Sequence, residues 1–144
     1  MQKLLRGFTV LLLGITLVGC STTPTVNGNK LTTANKEVEI VRVERVKDVL
    51  STQYNDTRTD VAYITLTYNN KGKENDSFTK TTTIKVVQDG MERIRNYIAV
   101  GEENATDFRN IVSGETITVP YAFEIVGDSP IEIYLDGKKW DFNI

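Results

Sequence analysis

Residues 116–125 read TITVPYAFEI, and their alternation decides the fold class. Ile117, Val119, Tyr121, Phe123 and Ile125 fall on one side, with Thr116, Thr118, Pro120, Ala122 and Glu124 on the other. Period two marks a half-buried strand. Pro120 lacks an N–H, so it predicts a sheet edge or a bulge at that point. The same alternation recurs in residues 60–69, where Ala62, Ile64, Leu66 and Tyr68 oppose Val61, Tyr63, Thr65 and Thr67. All are types that suit a pleated surface, and the segment reads as a central strand.

Two Asp-Gly pairs punctuate further strands. Asp89-Gly90 separates residues 84–88 from 91–98, and Asp136-Gly137 separates 131–135 from 138–144. Such pairs accept positive φ and favour tight hairpin turns. In the second hairpin Ile131, Ile133 and Leu135 are expected to face inward with Trp140, Phe142 and Ile144, pinning the carboxyl terminus into the core. Residues 37–46 place Val38 and Ile40 in one phase and Val41 and Val43 in the other, which predicts a bulge or a change of sheet. Residues 46–59 and 69–76 read as irregular and polar. A helical turn is expected near 106–111, with Phe108, Ile111 and Val112 covering one end of the core. Seven or so short strands without a long helix fit an all-β, antiparallel sandwich, with a closed five- or six-stranded barrel as the competitor.

The chain of 144 residues holds no His, so the commonest general base and transition-metal ligand is missing. Its 17 Lys and Arg against 19 Asp and Glu form no cationic cluster of the phosphate-tracking kind, and nucleic acid is excluded as an expected partner. One cysteine, Cys20, closes no intramolecular disulfide. No nucleophile elbow, phosphate loop or metal-ligand spacing is present, so neither a metal nor a cofactor is expected. Asn55, Asn75 and Asn104 begin Asn-x-Ser/Thr triplets that read as turns.

A basic start, Lys3 and Arg6, precedes the uncharged run GFTVLLLGITLVG at 7–19. Thirteen residues are too few to cross a bilayer, which takes about 20, but they suit the hydrophobic part of an export signal. The run ends in Leu17-Val18-Gly19-Cys20, which resembles the lipobox of bacterial lipoproteins. The resemblance implies cleavage before Cys20, a diacylglycerol thioether on its sulfur, and a membrane-held, extracytoplasmic protein. Each buried CH₂ contributes about 0.8 kcal/mol, so two or three acyl chains hold where one lets go. Residues 1–19 are thus expected to be a signal peptide and residues 20–36 the lipidated Cys with a disordered tether, STTPTVNGNKLTTANK, of roughly 20–25 Å reach. Residues 37–144 are expected to form the folded domain.

Within that domain, VAYITLTYNNKGK, the hairpin IKVVQDGMER and the stretch SGETITVPYAFEIVGDSPIEIYL follow the order strand, Asn-rich turn, Gln-x-Gly hairpin, Gly-led long strand. The order resembles small Gram-positive lipoproteins with a module known as a domain of unknown function. The resemblance implies an immunoglobulin-like β-sandwich and supplies no catalytic residues.

Arg93, Arg95 and Tyr97 alternate with Ile94 and Ile98, so a strand over 91–98 would show them on one outward face as a cationic and aromatic strip. Such a strip suits an anionic partner such as a wall polymer or an acidic protein surface, against the plainer reading of a solvated, charge-paired sheet face. Acidic residues gather at Glu74 and Asp76, at Glu102, Glu103 and Asp107, and at Asp56 and Asp60, without calcium-loop spacing. The expected function is non-enzymatic binding of an envelope protein, a wall component or an incoming factor. The alternatives are a small envelope hydrolase using paired carboxylates and a structural or protective surface protein, including one that excludes phage.

Overall fold

A positive φ at Gly28 (56°) turns the chain between β1 (Thr25–Asn27) and β2 (Lys30–Thr32), and this hairpin forms one margin of a five-stranded antiparallel sheet. The computed structural model describes residues 25–54, 56–101 and 104–144. After β2 come β3 (Lys36–Leu50), β4 (Arg58–Asn70), α1 (Phe78–Thr81), β5 (Ile84–Gln88), β6 (Met91–Glu92), α2 (Tyr97–Val100), β7 (Thr116–Ile125), β8 (Ile131–Leu135) and β9 (Lys138–Phe142). One sheet has the order β1-β2-β3-β4-β7 and the other β6-β5-β8-β9, every pairing antiparallel. The protein is an all-β sandwich.

The core lies between the sheets. Val38, Ile40, Ala62, Ile64, Leu66, Tyr68 and the five alternating residues of β7 pack against Val86, Ile131, Ile133, Leu135 and Trp140. β4 is central, as its alternation predicts, and Pro120 sits on β7, the strand at the sheet's other margin. Both Asp-Gly pairs turn with φ positive at each residue, 52° and 75° at 89–90 and 47° and 78° at 136–137. Phe142 and Ile144 are half-buried against the core. The phase change in β3 is a bulge. Register slips between Ile40 and Arg42, leaving Val41 exposed while Val43 packs against the core, and slips again between Val46 and Val49.

Three expectations are corrected. The expected tether at 20–36 overlaps the sheet, because β1, β2 and the start of β3 lie within it: Leu31 pairs with Val38 and is only 1% exposed. Thr and Asn suit strand margins and turns as well as they suit coil, and composition alone hid the Gly28 hairpin. Residues 1–24, with the signal peptide and Cys20, lie outside the described residues. The strand expected at 91–98 stops at Glu92, because after Arg93 the chain leaves its own sheet. Around 106–111 there is a turn, not a helix; Ile111 is buried, whereas Phe108 is 69% exposed and Val112 is also exposed.

Candidate functional site

The segment 93–111 builds the site by wrapping a sheet margin. Arg93 adds one rung to the β5–β6 ladder, its N–H donating to the Val86 carbonyl at 2.8 Å. The next residues cross to β7: Glu124 N donates to the Ile94 carbonyl and Asn96 N to the Ala122 carbonyl, both at 2.8 Å, with Arg95 opposite Phe123. Asn96 caps α2, its side-chain oxygen accepting from Ala99 N at 2.8 Å. The helical turn lies on the outer face of the five-stranded sheet, where Val100 packs on Val61 and Ala122. On the return, Thr106 Oγ1 donates to the Thr118 carbonyl at 2.7 Å. An exposed edge invites pairing with other chains. Here 118, 122 and 124 are partnered, and Pro120, in the same phase, offers no N–H.

The crossing delivers Arg95 and Asp107 to one point. Arg95 Nη2 lies 2.8 Å from Asp107 Oδ2, and Tyr121 Oη donates to the same oxygen at 2.9 Å. The guanidinium carbon stands 3.9 Å from the centroid of the Tyr121 ring and 4.5 Å from that of Tyr97. A planar cation between two ring faces is held by electrostatic attraction to both. Asp107 is buried at 1% side-chain exposure, and the contact is end-on, leaving Arg95 Nε and Asp107 Oδ1 without a hydrogen-bond partner. Burial pushes the Tyr121 hydroxyl well above its ordinary value; Arg95 opposes this and Asp107 adds to it.

Beside this cluster, between the margins of the two sheets, opens a cleft of about 360 Å³. Thr79, Thr82, Thr83, Arg93, Arg95, Tyr121 and Phe123 line it, with Ile84 of β5 and Glu92 of β6. The Thr83 carbonyl accepts from Asp136 N on the β8 side, and the Val86 carbonyl accepts from Arg93 N on the β6 side. By that alternation the N–H and C=O of Ile84 face the cleft, at a point where no strand follows Arg93 along β5. The Arg93 side chain is half-buried, its Nε donating to the Glu124 carbonyl at 2.8 Å. It makes no ion pair among the described residues.

The fold thus brings Arg93, Arg95 and Tyr97 together, but not as an outward strand face. Arg95 is committed to Asp107 and the two tyrosines, Tyr97 opens α2, and Ile94 and Ile98 are exposed. Asp107 and Tyr121 were missed as partners. Asp107 stood out only as one acid in a loop cluster, and the other two members, Glu102 and Glu103, lie outside the described residues. The other buried carboxylate, Glu124, accepts from Ser51 Oγ at 3.1 Å, Thr52 N at 2.8 Å and Asn96 Nδ2 at 3.0 Å. Both buried acids are held by donors within the domain. Asp60 is paired with Arg45, and Asp76 accepts from Ser77 N. Among the described residues no group of three or more acidic, His or Cys side chains is placed to hold a metal ion.

No curated protein matches the chain. Among solved structures, a candidate lipoprotein of Staphylococcus aureus superposes with a TM-score of 0.65 at 14% identity, over 85% of this chain and 92% of that one. A candidate lipoprotein of Bacillus subtilis gives 0.62 at 12% identity over 83% of this chain; the chain spans 39% of that protein's length. An uncharacterised β-sandwich protein of Clostridium difficile gives 0.57 at 18% identity, over 83% and 91%. At these identities the likeness is one of fold. A family model described as a domain of unknown function (DUF5067) matches residues 21–136, and the chain belongs to that family.

Proposed function

We propose that the protein is a lipid-anchored, extracytoplasmic binding module that receives an anionic group of an envelope protein, wall component or incoming factor in the cleft beside Arg95. Membrane attachment is read from the lipobox-like Leu17-Val18-Gly19-Cys20, and the likeness in fold to candidate lipoproteins supports it. The observation that carries the binding role is the division of labour between two arginines. Arg95 is locked by Asp107, Tyr97 and Tyr121, and fixes the cleft wall. Arg93 keeps its terminal nitrogens uncommitted by any ion pair among the described residues and lines the same cleft as three threonines. Hydroxyls and a guanidinium fork suit phosphate or carboxylate, and a bond to a charged partner contributes about 1.5–3 kcal/mol.

The test is a titration of the full chain in detergent with short poly(glycerol phosphate) and with an acidic peptide. Arg93→Gln, which spares the buried pair, should weaken the tighter of the two complexes by roughly tenfold or more. Equal affinities would refute the role of the cleft. Feeding expressing cells labelled palmitate tests the anchor separately: label should appear on the chain and vanish in Cys20→Ser.

A further inference from the structure

The two ends of the sandwich differ in charge, and the anchor joins at one of them. Thr25, the first described residue, pairs with Thr32, which pairs with Glu37, which pairs with Asn69, which pairs with Thr116, so all five lie in the terminal row of one sheet. The second sheet shares that end. Lys36 Nζ reaches Thr82 Oγ1 at 3.1 Å and Asp136 Oδ2 at 2.5 Å, and Tyr68 Oη lies 2.9 Å from Thr81 Oγ1.

Four exposed lysines occupy the loops there: Lys71 and Lys73 after β4, Lys80 in α1, and Lys138 beside the β8–β9 turn. None makes an ion pair among the described residues. The acids of the same end are largely engaged: Asp136 with Lys36, Glu115 with Arg109, Glu37 with Lys30, and Asp76 with Ser77 N. Glu74 is the exposed exception. Lys71 and Lys73 flank a depression of about 530 Å³ lined also by Asn35, Asn70, Glu74 and Asp76, so the lysines' contribution to an anionic surface is made at its rim. The opposite end leans the other way: Asp48, Asp56, Asp89 and Asp128 lie in its turns against Arg45, Lys47 and Arg58, and although Asp128 pairs with Arg45 and Asp48 lies 3.8 Å from Arg58, Asp56 and Asp89 make no ion pair among the described residues. Along the flanks, exposed lysines are neutralised locally, Lys85 by Glu92 and Lys139 by Glu132 and Asp141.

Cys20 precedes Thr25 by five peptide steps, a span of at most about 17 Å. β4, with 13 residues, gives the sandwich a length of roughly 40 Å. A bilayer holding the Cys20 acyl chains therefore lies near the lysine end and out of reach of the acidic end of an upright domain. We propose that this lysine end rests on an anionic lipid surface, holding the domain upright with its acidic end outermost; this rests on the lipid-anchor reading of Cys20. Cations within a Debye length of a negative leaflet bind it by roughly fivefold per lysine. The side cleft then opens parallel to the membrane, where a laterally diffusing or wall-attached partner can reach it.

The experiment uses the full chain purified from membranes and reconstituted into vesicles of phosphatidylcholine with or without phosphatidylglycerol. A thiol fluorophore is placed at Lys73→Cys or at Met91→Cys, an exposed residue of the far hairpin, and energy transfer to an acceptor lipid is measured. Transfer should be strong from position 73 and weak from position 91 in anionic vesicles. Replacing Lys71, Lys80 and Lys138 by Gln, omitting phosphatidylglycerol or raising salt should reduce the difference. Equal transfer from both positions, or indifference to phosphatidylglycerol, overturns the proposal. So does capture by poly(glycerol phosphate) that leaves position 73 remote from lipid. Failure of the anchor reads out separately, as two fluorophores per chain instead of one because Cys20 is free. That unanchored chain must still float with anionic vesicles in preference to neutral ones, and lack of preference likewise overturns the proposal.

Discussion

Asp107→Ala removes one carboxylate and strands two partners. Arg95, at 17% side-chain exposure, loses its anion, and the buried Tyr121 hydroxyl loses its acceptor. Breaking a buried pair by deleting one member costs about 3–5 kcal/mol, because the surviving charge is left desolvated. Arg95 keeps its contacts with two ring faces and some access to water, which places the loss near the lower figure, about 3 kcal/mol. For a domain of this size that is about a 10 °C fall in Tm, or roughly 2 M in urea midpoint at a slope near 1.5 kcal/mol per molar. The assay is urea unfolding followed by fluorescence of Trp140, the chain's one tryptophan, which is buried in the core. Asp128→Ala serves as a control: its carboxylate pairs with Arg45 but is 94% exposed, and the midpoint should not move. The double variant Arg95→Met with Asp107→Leu should recover most of the loss, since apolar residues of similar volume often replace a buried ion pair without penalty. If Asp107→Ala unfolds at the same urea concentration as Asp128→Ala, the buried pair does not fasten the crossing segment.

Two further outcomes follow from the core. Tyr121 has its folded-state pKa raised from 10.0, mainly by burial, so its contribution is complete below pH 10 and is lost as pH rises through the higher folded value. Alkaline unfolding monitored by circular dichroism should therefore be less steep in Tyr121→Phe, and an identical pH profile would exclude Tyr121 as the responsive group. Ending the chain at Gly137 removes β9 with Trp140 and the half-buried Phe142 and Ile144. Losing a buried Trp alone costs about 3–5 kcal/mol, and the ladder to β8 goes with it, so the product should be unfolded by far-ultraviolet circular dichroism and quickly digested.

The parts legible in the sequence are those governed by local rules. Alternation in 60–69 and 116–125 located two of the three long core strands, because each buries one face against the same core. The Asp-Gly pairs located two hairpins, because few residue types accept left-handed φ there. The phase change after Ile40 predicted a bulge or a change of sheet, and the structure has the bulge, since one inserted residue must flip every side chain that follows. Residues 25–32 failed that reading because so short a hairpin holds two aliphatics, Val26 and Leu31, among Thr, Asn, Gly and Lys, too few positions to display a period. The candidate site failed for another reason. Arg95 and Asp107 are twelve residues apart with a helical turn and a loop between, and no spacing rule joins them.

The crossing at 93–96 has a physical necessity that the sequence states only through Pro120. β7 is a ten-residue edge strand, and an uncovered edge of that length is an aggregation hazard. Proline removes one donor, and the remaining edge groups must be paired from elsewhere. The chain leaving β6 on the facing sheet is near enough to do so, and in crossing it carries Arg93 and Arg95 into the gap between the sheets. Edge protection and the cationic cleft are therefore one feature of the fold. Substitutions at Arg95, Asn96 and Asp107 should disturb stability and binding together, because each anchors the crossing. Arg93 is the position where the two separate: its backbone N–H supplies the rung to Val86 whatever the side chain, while the guanidinium faces the cleft.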